Sequence, residues 1–173
     1  MSFAYKLMKS PVGELKLIAK DDKLAAILWE NDDPSRIPMS EMAEEAERPV
    51  LVETAHQLDE YFAGKRTEFD VPTDFQGAEF QRKVWNALLR IPFGETRSYA
   101  QIAAQVGSEK AFRAVGAANG RNPISIIAAC HRVIGASGKL VGFAGGLETK
   151  QFLLSLEAAR DKSIAATQAR EEA

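Results

Sequence analysis

Residues 112–135, FRAVGAANGRNPISIIAACHRVIG, carry the chain's one cysteine, Cys130, at the end of an apolar run and directly beside His131, one of only two histidines. A lone cysteine is more often a small buried hydrophobe than a nucleophile. Here it ends the apolar run instead of lying within it, which places its sulfur at a cleft, and His131 and Arg132 supply a base and positive potential. Cysteine attacks as the thiolate, and a neighbouring cation lowers its pKa from about 8.5. Neighbours on a strand point to opposite faces, so a direct Cys130–His131 dyad needs a bend or a bridging water. Upstream, Arg113, Ala114, Gly116, Ala117, Ala118, Asn119 and Gly120 make a slim helix with one long basic side chain at its start. Such a helix can approach a widened DNA minor groove, about 6 Å across against about 12 Å for the major groove. Tight helix–helix packing through small residues explains the same composition.

The rest of the composition narrows the choices. One cysteine and two histidines in 173 residues exclude an internal disulfide and disfavour a structural zinc centre. No metal and no cofactor are expected, and a reducing, cytoplasmic setting fits. The opening MSFAYKLMKSPVG lacks the apolar core of a signal peptide, and no run of about 18 apolar residues is present to span a membrane. A net charge of −2 hides an asymmetry: residues 1–74 hold 9 Lys and Arg against 16 Asp and Glu, whereas 75–160 hold 11 against 5. The basic half points to a polyanion partner; scattered solvated charge is the plainer explanation.

Periodicity divides the chain into residues 1–74, 75–160 and a tail, 161–173, expected to fray. FAYKLMKS and ELKLIAK flank Pro11-Val12-Gly13 and predict a hairpin, with LAAILWE as a third strand. NDDPSRIPMSEMAEEAER reads as a solvated loop or frayed helix. Leu51, Ala55, Leu58 and Phe62 predict a helix stopped near Gly64, and residues 69–75 a linker. Phe80, Val84, Leu88 and Ile91 then form a helical stripe ended by Pro92-Phe93-Gly94. YAQIAAQV, capped by Ser98 and ended by Gly107, and EKAFRAVGAANG, begun at Ser108, make a helix-turn-helix. A short buried strand over 124–128 is expected to deliver Cys130. VIGASGKLVGF turns through Gly and Ser, and TKQFLLSLEAA closes with Phe152, Leu153 and Leu156 inward.

From Tyr99 to Glu157 the sequence resembles the O6-alkylguanine-DNA alkyltransferases (methylated-DNA–protein-cysteine methyltransferases) of the bacterial Ogt type. Their Pro-Cys-His-Arg-Val motif, preceded by Arg-Ala-Val-Gly-Ala and Asn-Pro and followed by a Gly-Gly-Leu turn, is matched by RAVGA, NP, ACHRV and FAGGL with linked spacings. The resemblance implies an α/β protein of two small domains: an N-terminal ribonuclease-H-like domain and a C-terminal, winged-helix-like DNA-binding domain with a helix-turn-helix. It implies a suicide transfer of alkyl from O6-alkylguanine in double-stranded DNA, with O4-alkylthymine as an additional candidate substrate, to Cys130 by a monomer. His131 is then the base acting through water, Glu157 its orienting carboxylate, and Asn122 the residue ordering the turn before the active-site strand. Tyr99 stands at the target nucleotide, and Arg113 fills the stack from a DNA-facing surface that includes Ala114, Gly116, Ala117 and Arg121. Lys150, Phe143 and the backbone around Val133 and Ala144 line the guanine pocket. The target base must be flipped out of the duplex, at a cost of a few kcal/mol.

Taken singly, Glu157 is an ordinary exposed helix residue, Tyr99 a core aromatic and His56 a surface histidine. It is the joint register that supports the assignments. The chain departs from the family in four ways. Ala129 replaces the motif proline, whose loss is expected to loosen the approach to Cys130. Phe143 stands for the tyrosine of the human-type enzyme, Phe112 for the usual alanine, and the human-type N-terminal zinc ligands are missing. Two other functions compete: a lesion-marking alkyltransferase-like protein, which commonly carries tryptophan at the cysteine position, and a cysteine hydrolase, for which no oxyanion-hole signature is present.

Overall fold

The computed structural model describes residues 3–39, 41–135 and 143–172, the last stretch from residue 160 as backbone path only. Strands β1 (Phe3–Ser10) and β2 (Gly13–Lys20) form the expected hairpin, closed by Pro11-Val12, with Gly13 at φ 102°. β3 (Lys23–Leu28) pairs antiparallel with β2. The acidic stretch after it is more ordered than its composition predicts. Met42–Glu44 forms a short strand, β4, that pairs parallel with β1, so the sheet order is β3-β2-β1-β4. Local polarity does not report a pairing made with a distant strand. α1 (Pro49–Phe62) covers the sheet with Leu51, Ala55, Leu58 and Tyr61, and Gly64 follows at φ 75°.

The linker is stitched to the sheet. Leu24 N donates to Pro72 O and Asp74 N to Leu24 O, so residues 72–74 lie along the outer edge of β3. Further along that edge, Ile27 N donates to Pro123 O at 2.8 Å, and Ile27 forms a parallel bridge with Ile124. An edge strand that would otherwise present free backbone groups thus anchors the segment leading to Cys130.

The C-terminal domain packs α2 (Glu79–Leu89), α3 (Tyr99–Gln105) and α4 (Phe112–Gly120) around Val84, Trp85, Leu88, Ile102 and Val115. Ser98 caps α3 by accepting from Gln101 N, and Gly107 ends the turn at φ 81°. α4 starts at Phe112 and not at Ser108, because 108–111 is taken up by a turn closed by Ala111 N to Ser108 O. β5 (Arg97–Ser98) pairs parallel with β6 (Val133–Ile134). α5 (Leu147–Glu172) continues through the tail expected to fray, where the sequence offers no Gly or Pro to stop it. Its inward residues are Lys150, Leu153 and Glu157; Phe152, expected inward, is exposed because it is turned off that stripe. The Gly/Ser turn expected within 133–143 falls mostly in residues 136–142, outside the described residues.

Candidate active site

The segment expected as a strand over 124–128 is instead a compact turn. Ile124 makes its single bridge, residues 125–127 turn, and Ile126 adopts φ 74°, a left-handed conformation rare for a β-branched side chain. Asn122 imposes this path: its Oδ1 accepts from Ile124 N at 3.1 Å and its Nδ2 donates to Ala128 O at 2.8 Å. The side chains divide accordingly. Ile124, Ile126 and Ile127 join the sheet core, while Ala128, Cys130 and Val133 join the helical core. Cys130 therefore sits at the seam, 4% exposed.

Cys130–Arg132 forms one turn of 3₁₀ helix, in which consecutive side chains diverge by about 120°. His131 and Arg132 consequently point away from the sulfur's side and towards α5. There the Glu157 carboxylate is a hub. Oε2 lies 2.6 Å from His131 Nε2 and accepts from the Tyr61 hydroxyl at 2.6 Å and Arg132 Nη2 at 2.9 Å. Oε1 accepts from Arg132 Nε at 2.7 Å and from Gly94 N at 3.4 Å. Arg132 also donates to Ile91 O at 2.6 Å and lies 5.7 Å from the Phe93 ring centroid. Burial pushes the Glu157 carboxyl up, but the bonds from His131 and Arg132 and their charges outweigh it and hold its pKa at about 2. Burial and the neighbouring Glu157 raise the Tyr61 phenol, which stays a donor.

An ionised Glu157 can only accept, so His131 carries its proton on Nε2 and keeps the Nδ1 lone pair. Nδ1 is buried without a hydrogen-bond partner among the described residues. Burial holds the imidazole below its ordinary pKa, against the raising effect of Glu157. Burial likewise raises the Cys130 thiol, offset in part by a hydrogen bond from Asn122 and by the charges of Arg36 and Lys150. This corrects the expectation that Arg132 polarises the sulfur: Arg132 is committed to Glu157. The positive charges that favour the thiolate, Arg36 and Lys150, come from more distant parts of the sequence.

Lys150 is buried, donates to Val133 O at 2.6 Å and lies 5.8 Å from the Phe143 ring centroid; desolvation lowers its pKa. Arg36 was not singled out in the sequence. It holds Asp32 through two bonds of 2.8 and 2.6 Å and donates to Asn122 O at 2.9 Å and Gly120 O at 3.3 Å. It clasps the end of α4 and the Asn122 turn to the N-terminal domain. No local pattern marks Arg36 in an acidic loop, and none marks Tyr61 in an ordinary amphipathic helix.

Ala129 keeps a proline-like backbone, and its N–H has a partner. Its φ of −79° lies within the range a proline would impose, and its N–H, which proline lacks, donates to Leu88 O at 3.3 Å. On α4 the outer face carries Phe112 (49% exposed), Arg113, Ala114, Ala117 and, just past the helix, Arg121, with Gly116 half-buried beside the Tyr99 ring. The Arg113 guanidinium lies 6.0 Å from the Phe112 ring centroid. Burial raises the Tyr99 phenol. Ala144 is exposed and Phe143 half-buried at the start of the loop into α5. His56 is exposed on α1.

Residues 79–159 match the model of the 6-O-methylguanine DNA methyltransferase DNA-binding domain, and residues 3–75 match the ribonuclease-like domain of the same family. The chain belongs to this methyltransferase family. A methylated-DNA–protein-cysteine methyltransferase of Mycolicibacterium paratuberculosis is 50% identical over 155 residues, covering 88% of this chain and 91% of that one. The constitutive Bacillus subtilis methyltransferase of that name is 46% identical, covering 88% and 94%. The crystal structure of Mycobacterium tuberculosis OGT in complex with DNA superposes with a TM-score of 0.84 at 47% identity, covering 91% of this chain and 94% of that chain. As a methyltransferase of this family the chain has a ribonuclease-like sheet domain followed by a DNA-binding helical domain. No described helix is long and apolar enough to cross a membrane.

Proposed function

We infer that this methyltransferase repairs O6-alkylguanine in double-stranded DNA by moving the alkyl group irreversibly onto Cys130, one group per chain. The observation that carries the reading is the buried, Glu157-ordered His131 with its Nδ1 lone pair unspent, one residue from the chain's only thiol. The Cys130 sulfur attacks the alkyl carbon as the carbon–O6 bond breaks. The thiol proton passes to His131 Nδ1 through a water, and the imidazolium gives it back by way of water to the departing guanine, so that His131 ends neutral. Because burial raises the thiol, the resting protein holds it neutral; Lys150 and Arg36 favour the thiolate as it forms. The product is a thioether with no easy leaving path, so the protein is consumed.

Residues 75–160 dock DNA and perform transfer, and residues 1–74 brace them. In this reading Arg113 enters the duplex from α4, with Ala114, Gly116 and Ala117 allowing close approach and Arg121 contacting phosphate. Tyr99 acts at the flipped nucleotide, and Val133, Phe143, Ala144 and Lys150 line the base pocket. Asn122 holds the turn that presents the cysteine. The protein works as a monomer in the cytoplasm, where a free thiol survives, and needs no metal or cofactor. A protein that only marks lesions has no use for an oriented base beside a thiol.

Intact mass after incubation with duplex DNA containing O6-methylguanine tests the reading. A thiol hydrogen replaced by methyl adds about 14 Da once per chain. Cys130→Ser should bind the DNA and gain nothing. Multiple turnover by one chain, or label on another residue, would overturn it.

A further inference from the structure

The loop Phe143–Gly146 leads into α5 towards Lys150 and packs against a residue of the other domain. Trp29 follows β3 and is 7% exposed. Its ring meets Phe143 edge to face, with centroids 5.5 Å apart and planes at 62°. A Cβ added to Gly145 would lie 2.8 and 2.9 Å from two indole carbons and 3.0 Å from a Phe143 ring carbon. Those distances are closer than side chains normally pack, and the obstacle is a rigid buried ring. Gly145 lies outside the left-handed region, whereas Gly146 takes φ 91°. The two glycines therefore answer different demands: Gly146 makes the turn, and Gly145 makes room for the indole.

Beyond this contact the loop connects directly to the chemistry. Gly146 N donates to Phe143 O at 2.9 Å and Lys150 N to Gly146 O at 3.1 Å, closing the loop onto the first turn of α5. Lys150 Nζ faces the Phe143 ring, reaches Val133 O and adds its charge to the Cys130 environment. On the near side Trp29 N donates to Asp32 Oδ2 at 3.2 Å, and Asp32 holds Arg36. The Trp29 Nε1 is buried with no partner among the described residues, and the contacts described for the ring are packing contacts with Phe143 and Gly145.

We propose that Trp29 is a positioning residue for alkyl transfer: the indole acts as a stop against Gly145 and Phe143 that sets the wall of the base pocket and, through Phe143, the place of Lys150. The proposal rests on the function inferred above and adds to it a residue of the ribonuclease-like domain.

The test is a double-mutant cycle of Gly145→Ala and Trp29→Ala, with Trp29→Phe as the conservative variant. Transfer is measured from O6-methylguanine duplex DNA and from free O6-benzylguanine, which needs no base flipping. Alkylation of Cys130 by iodoacetamide and thermal midpoint are measured in parallel. Each single alanine variant should slow transfer about tenfold on both substrates, since displacement of a positioning contact by about 1 Å can cost still more. Trp29→Phe should stay within about threefold. Removing the ring removes the clash, so the double variant should be about as fast as either single one instead of about a hundredfold slower than the parent. Multiplicative losses, losses that merely track the thermal midpoint, or a parental rate for Trp29→Ala would overturn the proposal. A parent that accepts no alkyl group would overturn the function instead, and the iodoacetamide rates would still show whether Trp29 and Gly145 are coupled.

Discussion

The two domains bury different things. Among described residues the N-terminal core is aliphatic and aromatic, and its buried polar side chains, Thr54 and Gln57, are satisfied locally by Val50 O and by Glu53 and Asp70. The C-terminal domain buries Asn119, Asn122, Ser125, His131, Arg132, Lys150 and Glu157. Buried polar groups cost stability unless paired, so the C-terminal domain has given up packing for a reactive site. The N-terminal domain compensates by lending its own side chains: Tyr61 to the Glu157 hub, Arg36 to the Asn122 turn, Trp29 to the pocket loop. A domain with an apolar core can hold a polar site in place from outside.

The contrast is most easily broken at its hub. Glu157→Gln leaves His131, Arg132 and Tyr61 competing for a neutral amide, and loss of one partner in a buried charge cluster costs about 3–5 kcal/mol. Transfer at neutral pH should fall by about 10²–10⁴-fold, with partial recovery at higher pH as thiolate accumulates. Stability against pH should also change form. In the parent, Glu157 is held at about 2 against an ordinary 4.5, so its contribution is full above 4.5 and is lost as pH falls from there towards 2. His131 is held below its ordinary 6.5, so acidification below 6.5 already favours the unfolded chain. Urea midpoints should therefore decline below about pH 6.5 and more steeply below about pH 4.5, and Glu157→Gln should lose the lower limb.

Arg36→Met tests the reach of one domain into the other. It removes the bonds to Asn122 O and Gly120 O and takes from Asp32 its cationic partner, at a cost of about 1–3 kcal/mol. Because its charge also favours the Cys130 thiolate, the pH–rate profile should move to higher pH. A profile unchanged in position would show that the clasp is purely mechanical.

Arg113→Ala sharpens the comparison from the DNA side. Transfer from duplex should slow by about tenfold and the salt slope of DNA binding should drop by about 1, while transfer from free O6-benzylguanine and thermal stability stay at parental values. The smallest effect belongs to Ala129→Pro. The φ of Ala129 already suits proline, but its N–H is bonded to Leu88 O and the ring takes the place of that N–H, so the variant should lose about 1 kcal/mol of stability. Chemical denaturation and a transfer rate within about threefold of the parent would check it.

The sequence by itself determined the hairpin, the helical stripes and the adjacency of a lone cysteine and a histidine, because these depend on residues close in the chain. The linked spacings from Tyr99 to Glu157 mark the family from sequence alone. Tertiary structure decided what surrounds the sulfur. A strand over 124–128 was the natural reading of five apolar residues, yet Asn122 bonds and the left-handed Ile126 fold them into a turn. The acidic segment containing Arg36 read as solvated loop, because nothing local announces that its arginine will meet carbonyls 84 and 86 residues away. Arg132 looked like a cation for the cysteine until the 3₁₀ turn carried it to Glu157. Period and composition are local quantities, whereas the pairing of a buried charge is settled by whichever distant group the fold brings to it.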